Sequence, residues 1–232
     1  MEALMIQLNI RDFVSKKKSN IGFYLAGFLI LGFAVNTMKA SALGNGAWDT
    51  VTINVRDFLN MNIGWTWVSM GMVSFTVSVI IMAIVISYRK KLRYLYMLLP
   101  IFLVALSIDF WNFTLFQDRQ AQTLTFQVIF YITGALLLPL GLTMIVKSKF
   151  PAFVFDELML MLVKVTKAKK ITYVRLAIEL FGISIGAIFG YLTYYHINQS
   201  FGAVDIGSFI LTIILSPIMA FYFKVLSISN DA

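Results

Sequence analysis

Six long apolar segments dominate this chain of 232 residues. They lie at about 21–43, 63–88, 94–116, 122–146, 172–195 and 207–224. Each approaches or exceeds the roughly 20 residues that cross a bilayer as a helix. Only helices and closed barrels satisfy every backbone polar group in lipid, and these segments are too long and uniformly apolar for barrel strands. The sequence therefore predicts an all-α polytopic membrane protein with six transmembrane helices.

The second half of the chain repeats the first at a constant offset of 107 residues. Phe23-Tyr24 and Gly27 lie over Phe130-Tyr131 and Gly134 at this offset, which also pairs Ser41 with Ser148, Asp49 with Asp156 and Phe102 with Phe209. Each half holds three apolar segments, and an odd number of spans reverses the orientation of the second copy. We therefore expect two inverted three-helix repeats, at 21–116 and 122–224, as in many secondary transporters.

The distribution of basic residues predicts how the spans are oriented. Of the 19 Lys and Arg residues, all but Lys39, Arg56 and Arg119 fall on one side if six spans alternate. Cytoplasmic loops carry such an excess, so both termini are expected in the cytoplasm. Residues 1–20 are expected to form a cytoplasmic, amphipathic and basic N-terminal segment. The basic clusters are then orientation signals and contacts for anionic lipids rather than a nucleic-acid groove.

A short half-apolar segment follows the first span of each half, at about 44–62 and 151–167. Each contains an aromatic residue and an aspartate that would open a short helix, Trp48-Asp49 in the first and Phe155-Asp156 in the second. One interpretation is an amphipathic helix on the membrane surface, with the aspartate as its N-cap. The other is a pair of re-entrant segments whose N-termini point at an anionic or polar substrate. The sequence leaves both open.

Ionisable residues within apolar spans are functional candidates because they are costly in lipid. Lys39 and Asp109 have similar predicted depths, so they could form an ion pair between helices, or Asp109 could serve as a proton or substrate site. Glu179 could pair with Arg175 one helical turn away. Ser216-Pro217 lies opposite Asp109 in the repeat, where the proline could break the helix and free carbonyl groups. The candidate substrate-binding or ion-binding residues are Lys39, Trp48, Asp49, Asp109, Asp156 and Ser216.

No pattern in the chain supports catalysis. There is no cysteine, and the single histidine, His196, matches no two-histidine metal site. Gly182-Ile-Ser184-Ile-Gly186 matches a hydrolase string, but His196 lies about 18 Å further along the same predicted helix. Glycines at 182, 186 and 190 instead predict a helix face for close packing. We expect no enzyme activity, no cofactor and no metal.

Leu43-Gly-Asn-Gly-Ala-Trp-Asp49, followed by Asn62-Ile-Gly64 and a long apolar span, resembles the bacterial YczE/YyaS/YitT group of integral membrane proteins. Ala47 replaces the proline usual in that group. The resemblance implies a small multi-pass protein of the bacterial plasma membrane and marks Trp48 and Asp49 as motif positions.

Two functions fit these patterns. The first is a small secondary transporter or exporter of an unknown small substrate, with its site between the inverted repeats. The alternative is a non-catalytic membrane subunit, either a substrate-binding component or a stabilising partner of another membrane protein. The glycine face would then be an intermolecular surface, towards such a partner or a second copy of the chain.

Overall fold

The computed structural model describes residues 18–151, 153–168 and 171–228. These residues form eight α-helices and no strands: α1 (Lys18–Ser41), α2 (Ala47–Phe58), α3 (Met70–Arg89), α4 (Leu98–Trp111), α5 (Leu124–Lys147), α6 (Val154–Thr166), α7 (Ile171–Asn198) and α8 (Ile206–Ile228). A 3₁₀ turn over Leu92–Met97 leads into α4, and π-helical turns at Leu59–Ile63 and Asn112–Phe116 extend α2 and α4. The amphipathic helix expected within residues 1–20 lies almost wholly outside the described residues.

Six of the helical stretches are long and apolar enough to cross a membrane, which confirms the predicted number of spans. They are Asn20–Ser41, Met70–Arg89, Leu92–Phe116, Leu124–Lys147, Ile171–Asn198 and Ile206–Leu226. The expectation that Pro217 breaks the last span is wrong, because α8 continues through it. α5 likewise continues through Pro139, and membrane helices tolerate such prolines where their surroundings compensate for the missing N–H.

α1 and α5 form the closest helix pair of the bundle. Gly27 on α1 lies against Gly141 and Ile145 on α5, and Gly134 on α5 lies against Ala34 and Met38 on α1. A Cβ atom at Gly27 would lie 3.0 Å from the Gly141 carbonyl oxygen, and one at Gly134 would lie 2.9 Å from that of Ala34. The contacts advance along one helix as they retreat along the other, so the helices are antiparallel. Small residues permit this approach.

α2 lies inside the bundle, which is the opposite of the surface-lying interpretation for this segment. Its buried residues cover most of its circumference and include Thr50, Asn54, Arg56 and Asp57. The glycines at 182, 186 and 190 on α7 are buried against α2 and the Phe201 turn. The predicted close packing is therefore correct, but the face is used within the chain and not towards a partner or a second copy.

α6 is less enclosed than α2. Val154 and Met161 are its buried residues, and they join an apolar cluster with the end of α3 and the start of α4. Glu157 forms an ion pair with Arg89 at the end of α3, at 3.6 Å. α6 thus stands beside α3 as α2 stands beside α7.

The two outer helix pairs differ in how closely they pack. α3 lies along α4, and a Cβ atom at Gly71 would collide with Asp109 and the Ala105 carbonyl of that helix. α7 has few contacts with α8, and only 11% of the apolar window of α8 is buried. The second half is therefore more open than the first at corresponding positions.

Candidate functional site

A cavity of about 150 Å³ lies between the two halves. The first turns of both α2 and α6 border it, together with side chains from α1, α3, α4, α5, α7 and α8. The structure thus brings Trp48, Asp49 and Asp156, three of the predicted site residues, to one place. We refer to it as the central cavity.

Five pairs of residues that are 107 positions apart line the central cavity. Leu31 and Leu138, Val35 and Leu142, Trp48 and Phe155, Asp49 and Asp156, and Val104 and Leu211 all line it. The rings of Trp48 and Phe155 are in contact, with centroids 4.5 Å apart. Pairs of residues at the predicted offset of 107 therefore form much of the wall.

The central cavity carries more negative than positive groups. Asp49, Asp156 and Glu179 line it with a single cation, Arg175. Burial raises the pKa of the Asp49 carboxyl to about 7, and the charge of Glu179 adds to this rise. Within the described ranges no ion pair joins Arg175 to Glu179, so that expectation is wrong. The guanidinium instead donates to Met219 Sδ at 3.7 Å.

Asp49 and Asp156 occupy the same position in their helices, but neither is the N-cap. Gly46 caps α2 and Phe153 caps α6, so each aspartate is the third residue of its helix. The capping expectation is therefore wrong, because each helix starts two residues before its aspartate. Each carboxylate still lies in the first turn, where the helix dipole favours negative charge.

A second cavity of about 600 Å³ lies at the Lys39 end of α1, and we refer to it as the polar cavity. Lys39 and the guanidinium of Arg56 both bind the Asp118 carboxylate, Arg56 at 2.7 Å. Arg56 Nε also donates to Asp57 at 2.7 Å, and the Tyr194 hydroxyl donates to the other oxygen of Asp57 at 2.7 Å. This network joins α1, α2, α7 and the loop after α4. The predicted Lys39–Asp109 pair is thus wrong.

Asp109 stabilises the start of α3 instead. Its carboxylate accepts from the Gly71 amide at 2.8 Å and from the Ser69 hydroxyl at 2.5 Å, and Ser69 accepts from Met72 N at 3.1 Å. The unpaired amides of a helix N-terminus need such acceptors. Asp109 and Ser216 are not among the residues that line the central or the polar cavity.

α2 separates the two cavities. Its first turn faces the central cavity, and Arg56 and Asp57 near its end face the polar one. The turn before it is fixed to α8 by hydrogen bonds from Asn45 N to Ser208 Oγ at 3.1 Å and from Gly207 N to Leu43 O at 3.0 Å. Gly44 there has a φ of 115° and lies against Ser208, so only glycine fits.

Four residues of the polar network are not among the predicted site residues: Arg56, Asp57, Asp118 and Tyr194. Arg56 and Asp57 lie in the first short half-apolar segment, where adjacent opposite charges are a usable signal for burial. Asp118 lies in a short loop, and nothing local identifies its partners. The spacing of Arg175 and Glu179 predicts only a pair within one helix and does not indicate that both line the central cavity.

Comparisons with known proteins identify the family of the chain and a related membrane protein. A family model described as a family of unknown function, DUF6198, matches residues 18–224. The uncharacterized membrane protein YczE of Bacillus subtilis (strain 168) is 27% identical over 159 residues, which cover 68% of this chain and 69% of that protein. The resemblance to the group that includes YczE is thereby confirmed. No solved structure gives a significant match.

Proposed function

This chain belongs to DUF6198, a family of unknown function, and we propose that it is a small secondary transporter. Its substrate site would be the central cavity, between two inverted three-helix repeats. Following the charge distribution and the relationship to YczE, the protein would lie in a bacterial plasma membrane with both termini in the cytoplasm.

The observation that carries the proposal is the central cavity itself, because equivalent residues of both halves line it. Secondary transporters built from inverted repeats bind their substrates near the bilayer midplane at the repeat interface. They also direct the N-termini of short or interrupted helices at that site. Here the first turns of the short helices α2 and α6 border the central cavity, and Asp49 and Asp156 are the third residues of these helices.

Reciprocal contacts support the inverted arrangement of the halves. Gly27 contacts Ile145, and Gly134 contacts Met38. Gly27 and Gly134 are 107 positions apart, as are Met38 and Ile145, so the two contacts are reciprocal, as contacts across a two-fold axis are. The ends of α1 and α5 also match. Ser41 and Ser148 each donate to the carbonyl three residues back, at 2.5 and 2.6 Å, and each accepts from the amide two residues on.

The unequal packing of the halves supports a moving mechanism. In alternating access, one repeat or bundle rocks against the other around a fixed site. α3 lies close to α4 whereas α7 stands apart from α8. If α7 moved against α8 while α3 moved away from α4, the central cavity would open to the opposite side of the membrane.

Cysteine accessibility tests this proposal, because the chain contains no cysteine of its own. Thr212 lines the central cavity, so in the transporter a Thr212→Cys variant should react with an impermeant thiol reagent in both right-side-out and inside-out vesicles. Ser107→Cys is the matched buried control, since Ser107 is 4% exposed between α1 and α4, and it should stay unlabelled. Gln120→Cys, in an exposed loop, reports vesicle orientation.

Labelling of Thr212→Cys from one side only would contradict alternating access. It would favour the alternative, a non-catalytic membrane subunit that binds a substrate or stabilises a partner. The exposure of α8, the least buried of the described spans, is the observation in favour of that alternative.

A further inference from the structure

We propose that the central cavity binds a small organic cation, about the size of a tetramethylammonium ion. This inference rests on the proposed function, since it names the class of substrate that the transporter would carry. It is carried by the charge, the aromatic wall and the volume of the cavity.

The charge of the central cavity calls for a cation. Asp49, Asp156 and Glu179 face one guanidinium, that of Arg175, so two negative charges remain uncompensated when all four groups are ionised. The other wall residues are mostly apolar, including leucines at 31, 138, 142, 211 and 215. Buried carboxylates among apolar groups need a counter-ion or a proton.

The aromatic wall favours an organic cation. Trp48, Phe153 and Phe155 all line the central cavity, and Trp48 and Phe155 contact each other there. Aromatic faces attract ammonium groups through the ring quadrupole, and tryptophan does so most strongly. Alkylammonium groups also match the apolar remainder of the wall, which a strongly hydrated inorganic ion does not.

The volume sets the size of the ligand. An apolar cavity of about 150 Å³ holds a molecule such as benzene, which is close in size to a small alkylammonium ion. Within the described residues no group of three or more Asp, Glu, His or Cys side chains is arranged to hold a metal ion.

Protons should compete with the cation. Asp49 lines the cavity together with Glu179, Asp156 and Arg175, and its pKa is raised to about 7 by burial and by Glu179. Below that pH a proton neutralises the carboxyl and removes its attraction for a cation. Binding should then weaken at least threefold between pH 8 and pH 6, as competition for one carboxylate requires.

Thermal unfolding of the purified full chain in detergent tests the proposal, with tetramethylammonium chloride as the probe. The ion should raise the melting temperature in a saturable manner. Sodium chloride at the same concentration should not, and neither should tert-butanol, a neutral molecule of similar size. Asp49→Asn should weaken binding at least tenfold. Asp109→Asn is the matched control, since Asp109 is an acidic residue outside the central cavity, and it should bind as the parent does.

A second measurement leaves the acidic residues unchanged. Tetramethylammonium should slow the labelling of the Thr212→Cys variant at least threefold, while tert-butanol should not. Equal effects of the two compounds, or no protection at all, would overturn the cation proposal. Two-sided labelling of Thr212→Cys without protection would leave a transporter of another substrate, whereas one-sided labelling with protection would leave a cation-binding protein that does not transport.

Discussion

At the scale of single residues, Lys39 shows how a buried charge selects its partner. Lys39 is 9% exposed, so its ammonium group requires a close acceptor. Depth along the spans suggested Asp109. The chain after α4 instead turns back through two consecutive residues of positive φ, Gln117 at 49° and Asp118 at 57°. That turn brings the Asp118 carboxylate to Lys39 and Arg56.

We therefore expect Lys39 and Asp118 to be energetically coupled. Asp118→Asn leaves two buried cations short of a carboxylate and should cost about 2 kcal/mol, less than a fully buried pair because the Asp118 side chain is 52% exposed. Adding Lys39→Met should recover part of this loss. A double-mutant cycle by thermal unfolding in detergent measures the coupling.

The matched cycle combines Lys39→Met with Asp109→Asn. Its losses should be additive, because Asp109 contacts Ser69 and Gly71 rather than Lys39. Coupling in this cycle, with additivity in the Asp118 cycle, would reverse the assignment of the ion pair.

At the scale of secondary structure, α2 is the element that its sequence describes least well. Alternating apolar and polar residues made a surface helix plausible, but Asn54, Arg56 and Asp57 are buried and hydrogen-bonded. Asn54 Nδ2 donates to Gly186 O at 2.8 Å and to Phe201 O at 2.9 Å, and Asn54 Oδ1 accepts from Ala203 N at 2.8 Å. These acceptors and donors come from residues more than 130 positions away, so no local pattern could reveal them.

The glycine face of α7 should be required for α2 to stay in place. A Cβ atom at Gly186 would collide with Thr50, so Gly186→Val should lower the free energy of unfolding by about 1–3 kcal/mol, the usual cost of overpacking. Gly22→Val is the matched control, because no atom lies within 4 Å of a Cβ atom there. Equal melting temperatures of the two variants in detergent would show that the α2–α7 contact does not support the fold.

At the scale of the whole molecule, hydropathy predicted the spans well because lipid imposes one length and one composition on all of them. The offset of 107 also indicated that Asp49 and Asp156 are equivalent, and both line the central cavity. The ion pairs were not predictable in the same way. Each depends on contacts between elements distant in sequence, such as Arg56 with Asp118.

The membrane orientation is the remaining prediction at this scale. Six alternating spans put Gln120 and Gln199 on one side and Lys90 and Lys167 on the other, and all four are exposed. With cytoplasmic termini, an impermeant thiol reagent added outside intact cells should label cysteines at the two glutamine positions and not at the two lysine positions. The reverse pattern would place both termini outside, and labelling at all four would contradict six spans.

The position of α2 between the two cavities has an electrical consequence. Asp49 and Arg56 are seven residues apart, which is about 10 Å along a helix, whereas the hydrocarbon core of a bilayer is about 30 Å thick. Water in both cavities would confine most of a membrane voltage to this short stretch. Each unit charge that crosses it would then gain close to the full 2.3 kcal/mol per 100 mV, so a cation moving past two helical turns would respond to voltage as though it had crossed the entire membrane.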